Sequence, residues 1–217
     1  MSRNRIINLI SLTANLLVVI FTIISLLAFF VSIDGSDEFV VGWVAFEYFT
    51  VLSNLFIGLV GAAIIVFNVK NLIKDENKFP KVLEIIKYVA SSAVGVTMFT
   101  VIFFLGPTKG FGIMYKSINL FMHLLSPLLA ILSFVFLEGK PNNKFYVTAF
   151  SILPVFIYGT VYLLNVLVFE TWTDFYGFNA NGLRYVSIIA MSIASYAIGV
   201  GIYYLTKLVS LNKEKAD

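Results

Sequence analysis

The fold is decided by long apolar stretches, and residues 41 to 68 are typical of them: they read VGWVAFEYFTVLSNLFIGLVGAAIIVFN. Glu47 is the single charged residue in this stretch. An α-helix of about 20 apolar residues is long enough to cross the roughly 30 Å hydrocarbon core of a bilayer. Residues 41 to 68 therefore predict a transmembrane helix.

The rest of the chain has the same character. It is 59% hydrophobic and 12% charged, with a mean hydropathy of +0.94, whereas soluble domains are roughly 45 to 50% apolar and about 25% charged. We therefore expect an all-α, polytopic integral membrane protein in which residues 1–217 form one domain, a bundle of six transmembrane helices. The other five stretches are residues 6 to 33, 83 to 106, 117 to 137, 146 to 169 and 183 to 206.

Lysine and arginine are concentrated on one side of this topology, the side that holds both termini. The other side has Lys109, Lys116 and Arg184 beside the acidic segments 34–38 and 170–174. Because cytoplasmic segments carry an excess of cations, we predict cytoplasmic termini in a multi-pass protein of the plasma (cytoplasmic) membrane. The side with the termini holds 12 of the 15 cations: Arg3, Arg5, Lys70, Lys74, Lys78, Lys81, Lys87, Lys140, Lys144, Lys207, Lys213 and Lys215.

The residue types that are missing exclude several kinds of site. The chain has no cysteine, which excludes disulfides and thiolate chemistry. His123 is the only histidine, and one histidine with scattered carboxylates does not match a zinc site. We expect neither a metal nor another cofactor. The cations lie in short loops rather than in one stripe, which predicts no nucleic-acid partner.

Two of the apolar stretches carry polar residues at helical spacing. Glu47, Thr50 and Asn54 lie in the second stretch, and Asn119, His123 and Ser126 lie in the fourth. At 100° per residue each set falls on one side of its helix. Counted from the outer boundary at 1.5 Å per residue, Thr50 is about 13 Å deep and His123 about 9 Å deep. Because polar groups are costly in hydrocarbon, we interpret the two sets as one functional site.

The chemistry that this site suggests is nucleophilic. A histidine facing a hydroxyl can act as its general base, with a third group orienting the ring. Thr50 and His123 are the candidate pair, and either Asn119 or Glu47 could orient the ring. Asn54 or Ser53 could donate to a developing oxyanion. Each of these residues could instead be an ordinary interhelical contact.

A resemblance to a known family supports this interpretation. Residues 48–55, YFTVLSNL, and residues 119–127, NLFMHLLSP, resemble the paired motifs of the androgen-induced protein family and its bacterial Pr6Pr-type relatives. The eukaryotic members are membrane hydrolases of fatty acid esters of hydroxy fatty acids, with a threonine nucleophile and a histidine. The resemblance implies that Thr50 and His123 are catalytic and that the substrate is a lipid ester.

Further residues are candidates for substrate binding. A nucleophile within the membrane meets acyl chains rather than soluble metabolites, so we expect a fatty ester from the bilayer. Arg184 could bind a substrate carboxylate, although an interfacial anchor or a partner of Glu170 or Asp174 is our preferred interpretation. Tyr158, Tyr162 and Asn165 follow one face of the fifth helix and either line the same cavity or pack around Pro154.

Two other function classes stay open. A small transporter or channel would use Glu47 and His123 as an ion or proton site. We rank it second because few charges are expected deeper in the inner half of the membrane and because the two halves of the chain show no repeat. A non-catalytic membrane partner or assembly factor is the third interpretation.

Overall fold

The computed structural model describes residues 1–31, 42–140, 144–179, 182 and 184–214, with side chains as far as residue 211. Over these residues the chain is helical, and six helices are long and apolar enough to cross a membrane. This confirms the all-α, six-helix prediction. The acidic segment 34–38 lies outside the described residues, as do residues 141–143. The helices are α1 Arg3–Ala28, α2 Phe49–Lys74, α3 Lys81–Lys109, α4 Ile118–Glu138, α5 Phe145–Leu167 and α6 Arg184–Glu214.

Three prolines interrupt the regular α-helical hydrogen bonding. A π-helical turn, Val101–Leu105, precedes Pro107 in α3, and a second one, Phe121–Leu125, precedes Pro127 in α4. In α5 the residues before Pro154, Phe145–Ile152, form a 3-10 helix. Proline has no N–H and its ring clashes with the carbonyl four residues back, so the preceding turn must change its geometry.

The third helix lies at the centre of the bundle. α3 is the most buried of the six helices and packs against α2, α4, α5 and α6. Its buried face is rich in small side chains, including Ala90, Ser91, Ala93 and Gly95. Small residues let membrane helices approach closely. Ser91 uses this proximity to donate to the Ala130 carbonyl of α4 at 3.3 Å.

The first helix has a polar buried face. Val18 is its only buried apolar residue, apart from Phe29 just past its end. The outer surface of α1 is apolar, as expected of a helix that faces lipid, so its polarity is reversed relative to a soluble protein. Its five buried polar residues are Asn8, Ser11, Asn15, Thr22 and Ser25.

A buried ion pair and its hydrogen-bond partners connect four helices in the half of the bundle near the termini. The Lys87 ammonium of α3 lies 3.8 Å from the Glu138 carboxylate of α4, and both side chains are almost fully buried. Asn15 of α1 accepts from Lys87 and donates to Glu138, each at 2.5 Å. Ser11 of α1 also donates to Glu138, at 2.8 Å. We call these four residues and Asn68 of α2, which donates to Ser11 at 2.9 Å, the ion-pair cluster.

Lys87 was expected among the cations at the membrane surface, and this expectation was wrong. Its side chain is 0% exposed, because α3 begins at Lys81 and Lys87 is therefore nearly two turns into the helix. At 1.5 Å per residue this depth is about 9 Å. The expected scarcity of charge in this half of the membrane was also wrong, since Glu138 lies there too.

An apolar layer separates the ion-pair cluster from the opposite end of the bundle. On α1 the layer contributes Val18, between Asn15 and Thr22; on α2 it contributes Ile57, Val60 and Ile64. Ala90 and Val94 of α3 and Ala130 of α4 complete its buried core within the membrane-spanning helices. Along α1, Val18 lies between Asn15 of the ion-pair cluster and Thr22, which contacts Asn54.

The contact between α1 and α2 depends on a glycine. A Cβ atom at Gly58 would lie 2.8 Å from both Thr22 Cγ2 and Thr22 Oγ1. Thr22 cannot easily turn away, because it is β-branched and its hydroxyl contacts the carbonyls of Val18 and Asn54 at 2.9 and 3.2 Å. Gly58 therefore sets the distance between the two helices.

We predict that Gly58→Ala lowers the stability of the fold by about 1 to 3 kcal/mol through overpacking. Gly201→Ala in α6 is the matched control, because a Cβ at Gly201 meets nothing within 4 Å. The control should be neutral or stabilising by up to about 1 kcal/mol. Thermal unfolding in detergent measures both variants, and equal melting temperatures would contradict the prediction.

Candidate functional site

The start of α2 differs from the predicted boundary at residue 41. Gly42–Glu47 form a 3-10 helix, Tyr48 is extended, and α2 begins at Phe49. The extended backbone at Tyr48 breaks the helical register, so Glu47 does not share a helix face with Thr50 and Asn54 as predicted. Thr50 is the second residue of α2 and therefore lies nearer to the end of the helix than predicted.

Two tyrosines from the second half of the chain hold this helix start in place. The first N–H groups of a helix have no partner within it, and the Phe49 N–H donates to the Tyr176 hydroxyl at 3.1 Å. Tyr158 of α5 donates to the Glu47 carbonyl at 2.6 Å. Burial raises the pKa of Tyr176, which lies outside the six helices, to about 12. Tyr176 therefore stays protonated at neutral pH.

The start of α2 determines the surroundings of the Thr50 hydroxyl. Thr50 is half-buried, and its side chain has no hydrogen-bond partner among the described residues. A threonine inside a membrane helix usually donates to the carbonyl one turn back. Thr50 has no such helical carbonyl, since residue 46 belongs to the 3-10 helix. Its position at the helix start therefore leaves its hydroxyl uncommitted.

His123 lies in the π-helical turn that Pro127 imposes on α4. The residue four positions before Pro127 is His123, whose carbonyl would meet the proline ring in a regular helix. Single π-helical turns are frequent at functional sites. The His123 side chain is 8% exposed, and its Nδ1 atom lies 2.7 Å from the Met114 carbonyl oxygen.

The Met114 carbonyl determines which tautomer His123 adopts. A carbonyl oxygen only accepts hydrogen bonds, so Nδ1 carries the hydrogen and donates it. In the neutral ring Nε2 then has a free lone pair and can accept a proton. Met114 ends a short helix, Phe111–Met114, and the chain turns back into α4 at Ser117, whose φ is +53°. This turn brings the carbonyl to the ring.

Asn54 connects the two helices, α2 and α4, that carry the predicted sets of polar residues. Its amide nitrogen donates to the Thr50 carbonyl at 2.8 Å and to the Met122 carbonyl at 3.0 Å. The backbone of Thr50 and the backbone next to His123 therefore lie within reach of one NH₂ group. This contact joins α2 to α4 at the residue before His123.

The remaining predicted neighbours of the pair have different roles. Asn119 donates to the Ile113 carbonyl over a long 3.4 Å, so Met114 rather than Asn119 contacts the ring of His123.

The candidate oxyanion donors are already bonded, except Ser126. Ser53 contacts the Thr50 carbonyl at 3.1 Å and the Thr97 hydroxyl at 3.0 Å. Both hydrogens of the Asn54 amide are in use, which leaves neither for an oxyanion. Ser126, by contrast, is 1% exposed and its hydroxyl has no partner among the described residues.

Of the α5 candidates, the tyrosines point inwards and Asn165 does not. Tyr162 is fully buried and donates to Asp174 at 2.9 Å. Its oxygen accepts from the N–H of Tyr176 at 3.0 Å, which fixes the loop that reaches α2. Asn165 instead bonds Val161 and Thr171 on the outside of the same region. It does not reach the Thr50 side of the bundle.

Arg184 has no carboxylate within ion-pair distance among the described residues. Its Nη1 atom lies 3.5 Å from Asn179 Oδ1, and its guanidinium lies 5.2 Å from the Tyr185 ring centre. Asp174, one of its predicted partners, instead accepts from the N–H groups of Phe178 and Asn179. The Arg184 charge is therefore available to an anionic group from outside.

Sequence reasoning missed the polar face of α1, although the signal was present. Asn8, Ser11, Asn15, Thr22 and Ser25 recur at intervals of three, four or seven residues, which places them on one helix face. Thr22 extends the candidate site, because its hydroxyl contacts the Asn54 carbonyl at 3.2 Å. Within the described ranges no three histidines or carboxylates come together as a metal site.

No protein family, curated protein or solved structure matches this chain. The resemblance to the androgen-induced protein family therefore stays a prediction. Any functional conclusion must rest on the geometry of the chain itself.

We predict that Asn54→Ala separates α2 from α4 near His123 and lowers stability by about 0.6 kcal/mol, the average for hydrogen bonds between membrane helices, and by at most about 1.7 kcal/mol, the largest value for such bonds. Asn165→Ala is the matched control, because its contacts stay within its own helix and the adjoining loop. We expect a melting-temperature decrease for Asn54→Ala that clearly exceeds that of the control. An equal decrease in both variants would contradict the bridging role of Asn54.

Proposed function

We propose that this chain is a multi-pass protein of the cytoplasmic membrane that hydrolyses lipid esters, with Thr50 as nucleophile and His123 as general base. The observation that carries the proposal is the arrangement around Asn54. One amide group joins the Thr50 carbonyl to the Met122 carbonyl, one residue before His123. The Thr50 hydroxyl has no partner among the described residues, and the Met114 carbonyl takes Nδ1 of His123 and so leaves the lone pair on Nε2.

The reaction would proceed in two steps. In the first, His123 Nε2 takes the Thr50 proton while Thr50 Oγ1 attacks the ester carbonyl carbon, and His123 then returns the proton to the leaving alcohol. In the second, His123 Nε2 takes a proton from water while the water oxygen attacks the carbonyl carbon of the acyl-threonine. The bond from that carbon to Thr50 Oγ1 then breaks as His123 returns the proton to Thr50 Oγ1, which releases the fatty acid. The Met114 carbonyl stabilises the imidazolium that forms in both steps. The free Ser126 hydroxyl can donate to the oxyanion.

The distribution of charge supports an orientation with both termini in the cytoplasm. Even without the buried Lys87, most of the lysine and arginine residues lie at the end of the bundle that holds the termini. Thr50 and His123 would then lie in the outer half of the membrane, where a fatty ester enters from the bilayer. Arg184, which has no carboxylate partner among the described residues, is placed at the same end and could bind a carboxylate of the substrate.

We expect Thr50→Ala and His123→Ala each to lower ester hydrolysis by at least about 10³-fold, as losses of a nucleophile or its base do. The assay uses purified protein with a fluorogenic fatty ester and a branched fatty ester. Thr50→Ser should keep measurable activity, because serine retains the hydroxyl. A fluorophosphonate probe should label residue 50 in the wild type and in Thr50→Ser but not in Thr50→Ala.

Thr160→Ala is the control for this experiment. Thr160 is exposed on α5 and its hydroxyl bonds the Phe156 carbonyl of its own helix. This variant should keep wild-type activity. Turnover that persists in Thr50→Ala, with all variants folded, would remove the nucleophile assignment.

A second candidate function is a small transporter or channel, and the ion-pair cluster favours it. Intramembrane charges commonly mark ion or proton pathways, and Lys87 and Glu138 lie on the opposite side of the apolar layer from Glu47 and His123. Transport would require this layer to open between the two polar regions.

Proteoliposomes distinguish the two functions. If the chain transports protons or cations, it should dissipate an imposed gradient, and Glu138→Gln should reduce the flux at least about tenfold, since the pathway loses a titratable group. The control Glu76→Gln removes an exposed carboxylate at the same end and should leave the flux unchanged. Ester hydrolysis without flux would exclude transport, and flux without hydrolysis would reverse our ranking.

A further inference from the structure

A shallow cleft opens at the end of the bundle that carries the termini, away from His123. It lies between α6, the end of α4 and the starts of α3 and α5. Two lysines from different segments lie along it, together with aromatic and hydroxyl side chains. The lining residues are Tyr88, Phe134, Lys140, Val147, Tyr203, Thr206 and Lys207.

The backbone brings the two lysines together. A Cβ atom at Gly139 would lie 2.7 Å from Thr206 Cγ2 and 2.9 Å from the Phe134 carbonyl oxygen. The chain can therefore pass this close to α6 only with glycine at residue 139. The next residue, Lys140, is held by a 2.8 Å hydrogen bond from its N–H to the Glu84 carboxylate. Lys207 follows Thr206 on α6 and so lies at the same cleft.

These two cations lack a carboxylate partner in the part of the chain that the structure describes. Both side chains are exposed, and neither forms an ion pair there, in contrast to Lys87 and Glu138. Two ammonium groups in one cleft repel each other, and an anion between them would relieve this repulsion. The Glu84 carboxylate beside the cleft is bonded to the Lys140 N–H and balances only one of the two positive charges. The cleft therefore favours a ligand with negative charge.

The surroundings of the cleft favour a ligand with an apolar part. Phe145 and Tyr203 meet edge to face at 5.7 Å, and the neighbouring Tyr204 and Leu208 of α6 are exposed apolar groups. In a membrane protein these side chains face lipid acyl chains near the headgroup level. An anionic headgroup at the lysines would thus place its acyl chains against α5 and α6.

We propose that this cleft binds the phosphate of an anionic phospholipid, with Lys140 and Lys207 as the phosphate ligands. Basic pockets between membrane helices bind lipid phosphates in this way, and each cation near the surface contributes about fivefold in affinity. Inorganic phosphate has the same charge but no acyl chains. The proposal requires insertion in a membrane and does not depend on the roles of Thr50 and His123.

The test measures the phosphatidylglycerol that purified protein retains, by native mass spectrometry, and the melting temperature after adding phosphatidylglycerol, phosphatidylcholine or inorganic phosphate. For the wild type we expect retention and stabilisation by phosphatidylglycerol only. The double variant Lys140→Ala/Lys207→Ala should retain at least about tenfold less phosphatidylglycerol than the wild type. Charge reversal of both lysines to glutamate should remove it completely.

The matched control is Lys70→Ala/Lys74→Ala, which removes two exposed cations from the same end of the bundle but outside the cleft. It should retain phosphatidylglycerol as the wild type does. Equal losses in both double variants would show attraction by general surface charge and overturn the proposal. Equal stabilisation by phosphatidylcholine or by inorganic phosphate would also overturn it.

Discussion

The structure depends on the rule that a polar group inside a membrane protein must find its partner in the protein. The ion-pair cluster follows from it: Lys87 and Glu138 are buried together, and Asn15 and Ser11 supply the further hydrogen bonds that the carboxylate needs. Four helices meet there because no single helix can satisfy both charges. The same rule turns the polar face of α1 inwards, where it also contacts Asn54.

Proline and backbone carbonyls organise the opposite region. Pro127 forces the turn around His123 out of the regular helix, and the chain reversal at Ser117 brings the Met114 carbonyl to the ring. Tyr158 and Tyr176 hold the first turn of α2 from outside. The candidate pair is thus positioned mainly by backbone contacts, which side-chain motifs do not reveal.

An apolar layer lies between the ion-pair cluster and the region around Asn54. The region around Asn54 contains a free hydroxyl and an imidazole with a defined tautomer, which is the equipment of an acyl-transfer site. The ion-pair cluster contains opposite charges already in contact, which suits either a structural link or a step on an ion pathway. This difference in chemistry is the physical basis for ranking hydrolysis above transport.

The sequence alone determined the six helices, because about 20 apolar residues cross a bilayer whatever their neighbours are. It also indicated the polar residues of α2 and α4, Asn54 and His123 among them, since helical periodicity is local. Only the tertiary structure decided that the extended backbone at Tyr48 keeps Glu47 off the α2 face that carries Thr50 and Asn54. It also decided that Met114 rather than Asn119 contacts His123, and that Lys87 is buried. Each of these depends on which distant group lies within about 3 Å, the reach of a hydrogen bond, and packing between helices sets that distance.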